Sequence, residues 1–151
     1  MVNFNSHYEL YNREFSYDLT FREFIEQSAY GFVKRSDPKE NIWILDIEGM
    51  QRGSISIKKV DEHTAQLGLF LVEPSLRGTG YGHQLVQRAI TFCEEIKFKT
   101  IILWTNSELI SARRIYSRNG FELMETRVQT LSNKELTEER WEKGLKQVVR
   151  A

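Results

Sequence analysis

The chain has 151 residues, enough for one domain with a proper core. Its 21 basic and 21 acidic residues cancel, so no net charge draws it toward nucleic acid or an anionic membrane. No apolar run is long enough to span a bilayer, and the single cysteine, Cys93, excludes an internal disulfide framework and a cysteine-rich metal site, which makes a reducing, cytoplasmic setting the default.

The opening "MVNFNSHYEL" has no basic stretch followed by an apolar one, so no secretory signal is expected. Pro38 and Pro74 are the only prolines, and no repeat or low-complexity tract divides the chain. One domain over residues 1–151 is therefore expected.

The elements follow in order. "HYELYNREF" reads as a short strand and a turn. "TFREFIEQSAYGFVKR" opens with Thr20 and Glu23 in a capping-box pattern and carries Phe21, Phe24, Ile25 and Phe32 on one face, which predicts a helix. "IWILDIE" is an apolar strand and "GMQRG" its turn. "SISIKKV" alternates with period two, Ile55 and Ile57 facing one way and Ser54 and Ser56 the other. After the turn at "DEH", "TAQLGLFLV" is nearly continuous in apolar residues, as expected of a strand buried on both faces.

A glycine-rich loop then leads into a helix from about Gly82 to Lys97, with Leu85, Ala89, Phe92 or Cys93, and Ile96 as its apolar stripe. "TIILWT" is another strand, and "ELISARRIYSRN" a helix with Gly120 as its left-handed cap. "FELMETRVQTL" is a strand, and "EERWEKGLKQVV" a strand or a short helix. The order β-α-β-β-β-α-β-α-β-β implies an α/β fold with a mixed sheet and helices on its faces.

The loop "VEPSLRGTGYGHQLV" raises the first functional question, because Gly78, Gly80 and Gly82 fall within five positions between a strand and a helix. Backbone N–H groups at a helix start, helped by the helix dipole, form an anion site, and bare glycines let a phosphate approach. Arg77 adds positive charge beside them. A tight surface loop without a ligand is the plain alternative. The loop lacks the Gly-Lys-Ser/Thr of a Walker motif and the Gly-x-Gly-x-x-Gly spacing of a dinucleotide fingerprint.

"V-E-P-S-L-R-G-T-G-Y-G" resembles motif A of the GNAT acyltransferases, and "ARRIYSRNGF" resembles that family's second signature, in the right order. A closer resemblance is to the acetyltransferase domain fused behind MarR-type winged-helix regulators, through "HYELYNREFSYD", "QLGLFLVEPSLRGTGYG", "LWTNSELISARRIY" and "KELTEERWE". This chain is expected to lack the DNA-binding half. The resemblance implies a mostly antiparallel sheet, splayed between its fourth and fifth strands, with helices on both faces. It also implies acetyl-CoA as cosubstrate, no metal, and an amine acceptor. The amides from Arg77 through Gly78, Thr79, Gly80, Tyr81 and Gly82 to His83 would hold the pyrophosphate. The pantetheine arm would lie along Phe70, Leu71 and Val72 like an added strand.

By the same resemblance Tyr116 would protonate the departing thiolate, the alternative being a core tyrosine beside Ala112 and Ile115. Backbone N–H groups near Leu71 and Val72 would polarise the carbonyl. Relatives carry a base where this chain has Gln66 and Trp104, and a cofactor-contacting Asn where it has Leu109. Asn106 either substitutes for that Asn or caps a helix beginning at Ser107 or Glu108. Gln129 and Thr130 replace a His-His pair seen in the MarR-linked domains.

Glu73 is expected to point to solvent, His7, Glu14 and Tyr17 to lie in the segment that walls the acceptor site, and Cys93 to be core. Three scattered histidines make no metal site. Arg113 and Arg114 read as a solvated helix face, with Arg114 or Arg118 able to reach the adenosine phosphate. The late strands, "VQTLSNKELTEERWE", offer an edge for a homodimer. The competing function is an acyl-CoA-binding module without turnover.

Overall fold

A computed structural model describes residues 37–131 and 133–147, together with Tyr30 and Lys34. The first expected strand lies outside the described residues. So does the first expected helix, apart from Tyr30 and Lys34, both helical. The described elements are β1 (Asn41–Ile47), β2 (Met50–Lys59), β3 (Thr64–Val72), α1 (Tyr81–Glu95), β4 (Thr100–Asn106), α2 (Ile110–Arg118), β5 (Glu122–Leu131) and β6 (Lys134–Gly144), with a short 3-10 turn at Pro74–Leu76. The strands form one six-stranded sheet in the order β1-β2-β3-β4-β6-β5. Every pairing is antiparallel except β3 with β4, where α1 makes the crossover.

The β1–β2 connection is shorter than the expected "GMQRG" turn. Only Glu48 and Gly49 turn, both with positive φ (53° and 81°), while Met50–Gly53 already belong to β2. Two successive residues with positive φ suit a two-residue hairpin because their twist matches that of the strands. Asp46 Oδ1 accepts the Gly49 N–H at 2.9 Å and closes the turn. "EERWEKG", readable as strand or helix, falls in β6, and Leu145, Lys146 and Gln147 of its expected continuation lie beyond the strand.

The core lies between the sheet and α1. Ile55 and Ile57 of β2, Ala65 and Leu67 of β3, and Ile101 and Leu103 of β4 pack with Val86, Ala89 and Cys93 of α1. Ser54 and Ser56 are buried as well, so both faces of β2 are covered. Burial pushes the Cys93 thiol up to about 12, as its place in this core requires. Helix α2 ends at Asn119, and Gly120 follows with φ 85°, the expected left-handed residue.

β3 does not behave as a strand buried on both faces. Its first half alternates, with Ala65 and Leu67 buried, and everything from Gly68 to Val72 is half-exposed. An irregularity explains the change. Ser54 and Ser56 of β2 stand opposite Leu71 and Gly68, so β3 uses one residue more than its partner over that interval. Leu69 takes φ 48°, and the Ser54 hydroxyl donates to its carbonyl at 2.6 Å. This bulge inverts the side-chain alternation. Leu67 faces the core, and so do Phe70 and Val72, which an unbroken period of two would turn the other way. The apolar run is continuous because the facing changes within it.

Candidate active site

β3 pairs with β4 only from Thr64↔Thr100 to Leu67↔Leu103. Past Leu67 the strands part, while β4 continues to pair with β6 as far as Asn106↔Glu138. A cleft of about 750 Å³ opens beside the parted strands. Phe70, Leu71 and Val72 form one wall, the start of α1 closes one end, and Leu109, Ala112 and Ile115 of the α2 region lie opposite. The splay expected between the fourth and fifth strands is therefore present between β3 and β4, the first expected strand lying outside the described residues.

The end at α1 is built for an anion. The first intrahelical bond of α1 runs from the Gln84 N–H to the Gly80 carbonyl at 3.0 Å, which places the N–H groups of Tyr81, Gly82 and His83 in the turn that has no acceptor within the helix. Gly78 and Gly80 have φ of 80° and 92°, and a Cβ on either would meet no atom within 4 Å, so the space over them is open. Gly82 is there for another reason than the access expected of it. A Cβ at Gly82 would come within 2.9 Å of Ile115 Cδ1 and 3.4 Å of Phe70 Cζ, so its bareness lets α1 approach α2 and β3. The N–H groups of Arg77 and Thr79 bond inward, to Pro74 O at 3.2 Å and Leu76 O at 3.2 Å. Thr79 and Tyr81 are absent from the cleft wall, whereas Arg77, Gly78, Gly80, Gly82 and His83 form part of it.

Arg114 and Arg118 of α2, the two residues expected to be able to reach the adenosine phosphate, join Arg77 around this end. The one carboxylate in the wall, Glu108, is bound by Lys134 at 3.0 Å. Asn119 Nδ2 lies 3.1 Å from His83 Nδ1 and donates to Ile115 O at 2.9 Å, which ties the end of α2 to the start of α1. The result is a positively charged mouth leading to a mostly apolar wall along an open strand edge.

Tyr116 is buried behind that wall rather than in it, although Ala112 and Ile115 of its helix and Phe70 beside it all face the cleft. Its ring packs on Phe70 and Phe121, each 5.8 Å between centroids, and on Trp141 at 6.4 Å. Asn106 is likewise buried and outside the wall. Its Oδ1 accepts the Glu108 N–H at 3.0 Å, which shapes the turn before α2. That helix starts at Ile110, later than Ser107 or Glu108, and its N-cap, Leu109, makes no side-chain capping bond. Leu109 occupies the cleft wall instead.

Several expectations need correction. Glu73 does not point freely to solvent: its Oε2 accepts from Arg52 at 2.6 Å in a half-buried pair. Arg113 is no solvated residue either. Its Nε donates at 2.8 Å to Oε1 of Glu139, which is 3% exposed and also accepts the Trp141 indole N–H at 3.1 Å. Within "ELTEER" the sequence reading missed this acid. The signal available was "ERW", where an acid two residues before a tryptophan on a strand shares its face. His7, Glu14 and Tyr17 lie outside the described residues.

A family model described as the acetyltransferase (GNAT) family matches residues 4–121. The chain belongs to that family. A protein of Schizosaccharomyces pombe, described as an uncharacterized N-acetyltransferase, is 26% identical over 118 residues, covering 76% of this chain and 72% of that one. The fold is that of solved acetyltransferases. One from Streptococcus agalactiae superposes with a TM-score of 0.73 at 21% identity, over 96% of this chain and 94% of that one. The Salmonella typhimurium protein yncA, solved with its cofactor acetyl-CoA, gives 0.70 at 15% identity, over 83% and 76%. Among the described residues of this GNAT chain, no helix is long and apolar enough to cross a membrane.

Proposed function

We propose that this acetyltransferase moves the acetyl group of acetyl-CoA directly to a primary amine of a small molecule or a protein. One observation carries the reading: the cleft between parted β3 and β4 is positive at one end, around the start of α1, and offers an open strand edge along the other. That suits an elongated ligand with a pyrophosphate at its head and an amide-bearing arm. The pyrophosphate would take the N–H groups of the α1 first turn. The arm would bond the free edge of Phe70–Val72 as an added strand does. Arg114 or Arg118 would hold the adenosine phosphate, and Asn106 acts through the turn that presents Leu109.

In the transfer the amine nitrogen attacks the thioester carbonyl, a C–N bond forms, and the C–S bond breaks. The amine's proton leaves to solvent, since neither Gln66 nor Trp104 is a base. N–H groups near Leu71 and Val72 stabilise the developing oxyanion. The Tyr116 phenol gives its proton to the thiolate and recovers one from water. The reaction as read needs no metal, and the lone thiol buried at Cys93 suits a reducing cytoplasm. The chain works as one domain over residues 1–151 and assembles as a homodimer.

The place of Tyr116 behind the cleft wall favours a second reading, an acyl-CoA-binding module without turnover. Thiol release from acetyl-CoA in the presence of an amine panel decides between them. Release that depends on the amine supports transfer. Tight binding of acetyl-CoA without release from any amine supports the module.

A further inference from the structure

Edge strand β5 carries the inference. Among the described residues, β5 has a neighbour on one side only, β6, whereas β6 is held between β4 and β5. Of the late strands, then, only β5 offers an edge. Open edges are usually blunted, because a bare ladder invites another chain. β5 instead exposes Leu123 at 44%, Met124 at 52% and Val128 at 63% along a ten-residue strand.

The middle of its sequence, "METRV", is complementary to itself when reversed about Thr126. In an antiparallel pairing with a second copy centred there, Glu125 stands opposite the partner's Arg127, and Met124 opposite the partner's Val128. The two-fold repeats both pairs. Shifting the register one residue either way sets Met124 against Arg127, or Glu125 against Val128. Shifting it two sets Glu125 against Glu125, or Arg127 against Arg127. Of these five registers, this one alone sets both Glu125 against Arg127 and Met124 against Val128, with Leu123 opposite Gln129.

The rows already present within one copy extend this match. Arg140 stands opposite Glu125, Nε to Oε1 3.6 Å, and Glu138 opposite Arg127, Oε2 to Nε 2.8 Å. Residues directly opposite share a face, so the paired sheets would carry the row Arg140, Glu125, Arg127, Glu138 across the interface, alternating in sign, twice. The Glu125 and Arg127 side chains are 47% and 50% exposed, and the Arg127 guanidinium lies over the Trp104 ring at 4.3 Å, from which it turns outward to meet the partner's Glu125 in the paired sheets. We propose that two copies of this chain join β5 to β5 in this register, making one continuous sheet across a two-fold axis at Thr126. This rests on the homodimer reading above and specifies its edge. The irregularity between Leu123 and Glu125 keeps the shared ladder short, so the association is reversible.

The test uses the full chain. Sedimentation velocity over a concentration series should show reversible dimerisation. Glu125→Arg and Arg127→Glu each create two like-charge pairs in a self-dimer, and each should weaken it by about tenfold or more. An equimolar mixture of the two variants restores opposite charges in both pairs across the interface, although not within each copy, and should dimerise more tightly than either variant alone, a rescue that damage within one copy cannot produce. Directly opposite antiparallel residues lie roughly 4.5–5.5 Å apart at Cα, within disulfide reach. Thr126→Cys should therefore oxidise to a covalent dimer, while Val60→Cys, exposed in the turn before β3, should not. Only monomer at every concentration overturns the homodimer altogether. A dimer indifferent to both charge variants, or one in which Val60→Cys cross-links as fast as Thr126→Cys, overturns this edge and register alone.

Discussion

Tyr116 is packed behind the cleft wall, and the proton-donor role proposed for it can be separated from that packing. Its ring fills the space between Phe70, Phe121 and Trp141, so Tyr116→Phe keeps the packing and removes only the proton donor. General acid catalysis is worth about 10²–10⁴-fold, and the loss should fall on kcat, because the proton is given up only in the transition state. Steady-state kinetics with acetyl-CoA, paired with calorimetric titration, checks this: affinity should stay at the parent value. Parent turnover with the parent pH profile would return Tyr116 to the core. Glu139 makes the opposite kind of case, a buried acid held by Arg113 and the Trp141 indole. Arg113→Ala leaves that carboxylate with one partner fewer in a dry place. A loss of about 1–3 kcal/mol is expected in chemical denaturation. An unchanged midpoint would mean that water replaces the guanidinium.

The start of α1 joins two demands on glycine that the sequence presents as one. Gly82→Ala places a methyl against Ile115 and should destabilise by about 1 kcal/mol, with Ile115→Val removing the Cδ1 atom and recovering most of it. Gly80→Val acts on the anion end instead: it should weaken acetyl-CoA binding by filling the open space, and its φ of 92° adds backbone strain that lowers the thermal midpoint too. Titration calorimetry showing parent affinity for Gly80→Val would remove the cradle. The loop, both helices, β4 and β5 were legible because spacing and punctuation are local signals. The β1–β2 turn was read too long because Gly53 and Gly49 look alike in sequence, although only Gly49 has a positive φ. The bulge at Leu69 and the parting of β3 from β4 left no local mark. They depend on how β2 registers against β3, a pairing between distant segments. Arg113 and Glu139, 26 positions apart, were invisible as a pair for the same reason.

For the molecule as a whole, Cys93 reports on the integrity of the core. Its thiol is raised to about 12 and has no exposed surface, so alkylation under native conditions should proceed only at the rate of unfolding. A raised thiol favours the folded state fully below the unfolded value, near 8.5, and that contribution fades as the pH climbs from there toward 12. Alkali titration of Cys93→Ala beside the parent should show the parent losing more stability over that interval. Balanced net charge hides a polarised surface, since three arginines share the cleft wall, so acetyl-CoA affinity should fall as salt rises. The extra residue at Leu69 has a genetic consequence. It works like a shifted reading frame, setting which later side chains of β3 turn inward. Losing the Leu69 codon would remove the bulge and leave Phe70 and Val72 facing the core by plain alternation from Leu67, whereas gaining one codon there would bring Leu71 and Glu73 round in their place, burying a carboxylate. Substitutions along this strand should be far better tolerated than a single-residue insertion. An insertion in the exposed turn at 60–63 should behave the other way, costing little. Soluble yield across an insertion scan would map that difference, with its sharpest loss between Gly68 and Phe70.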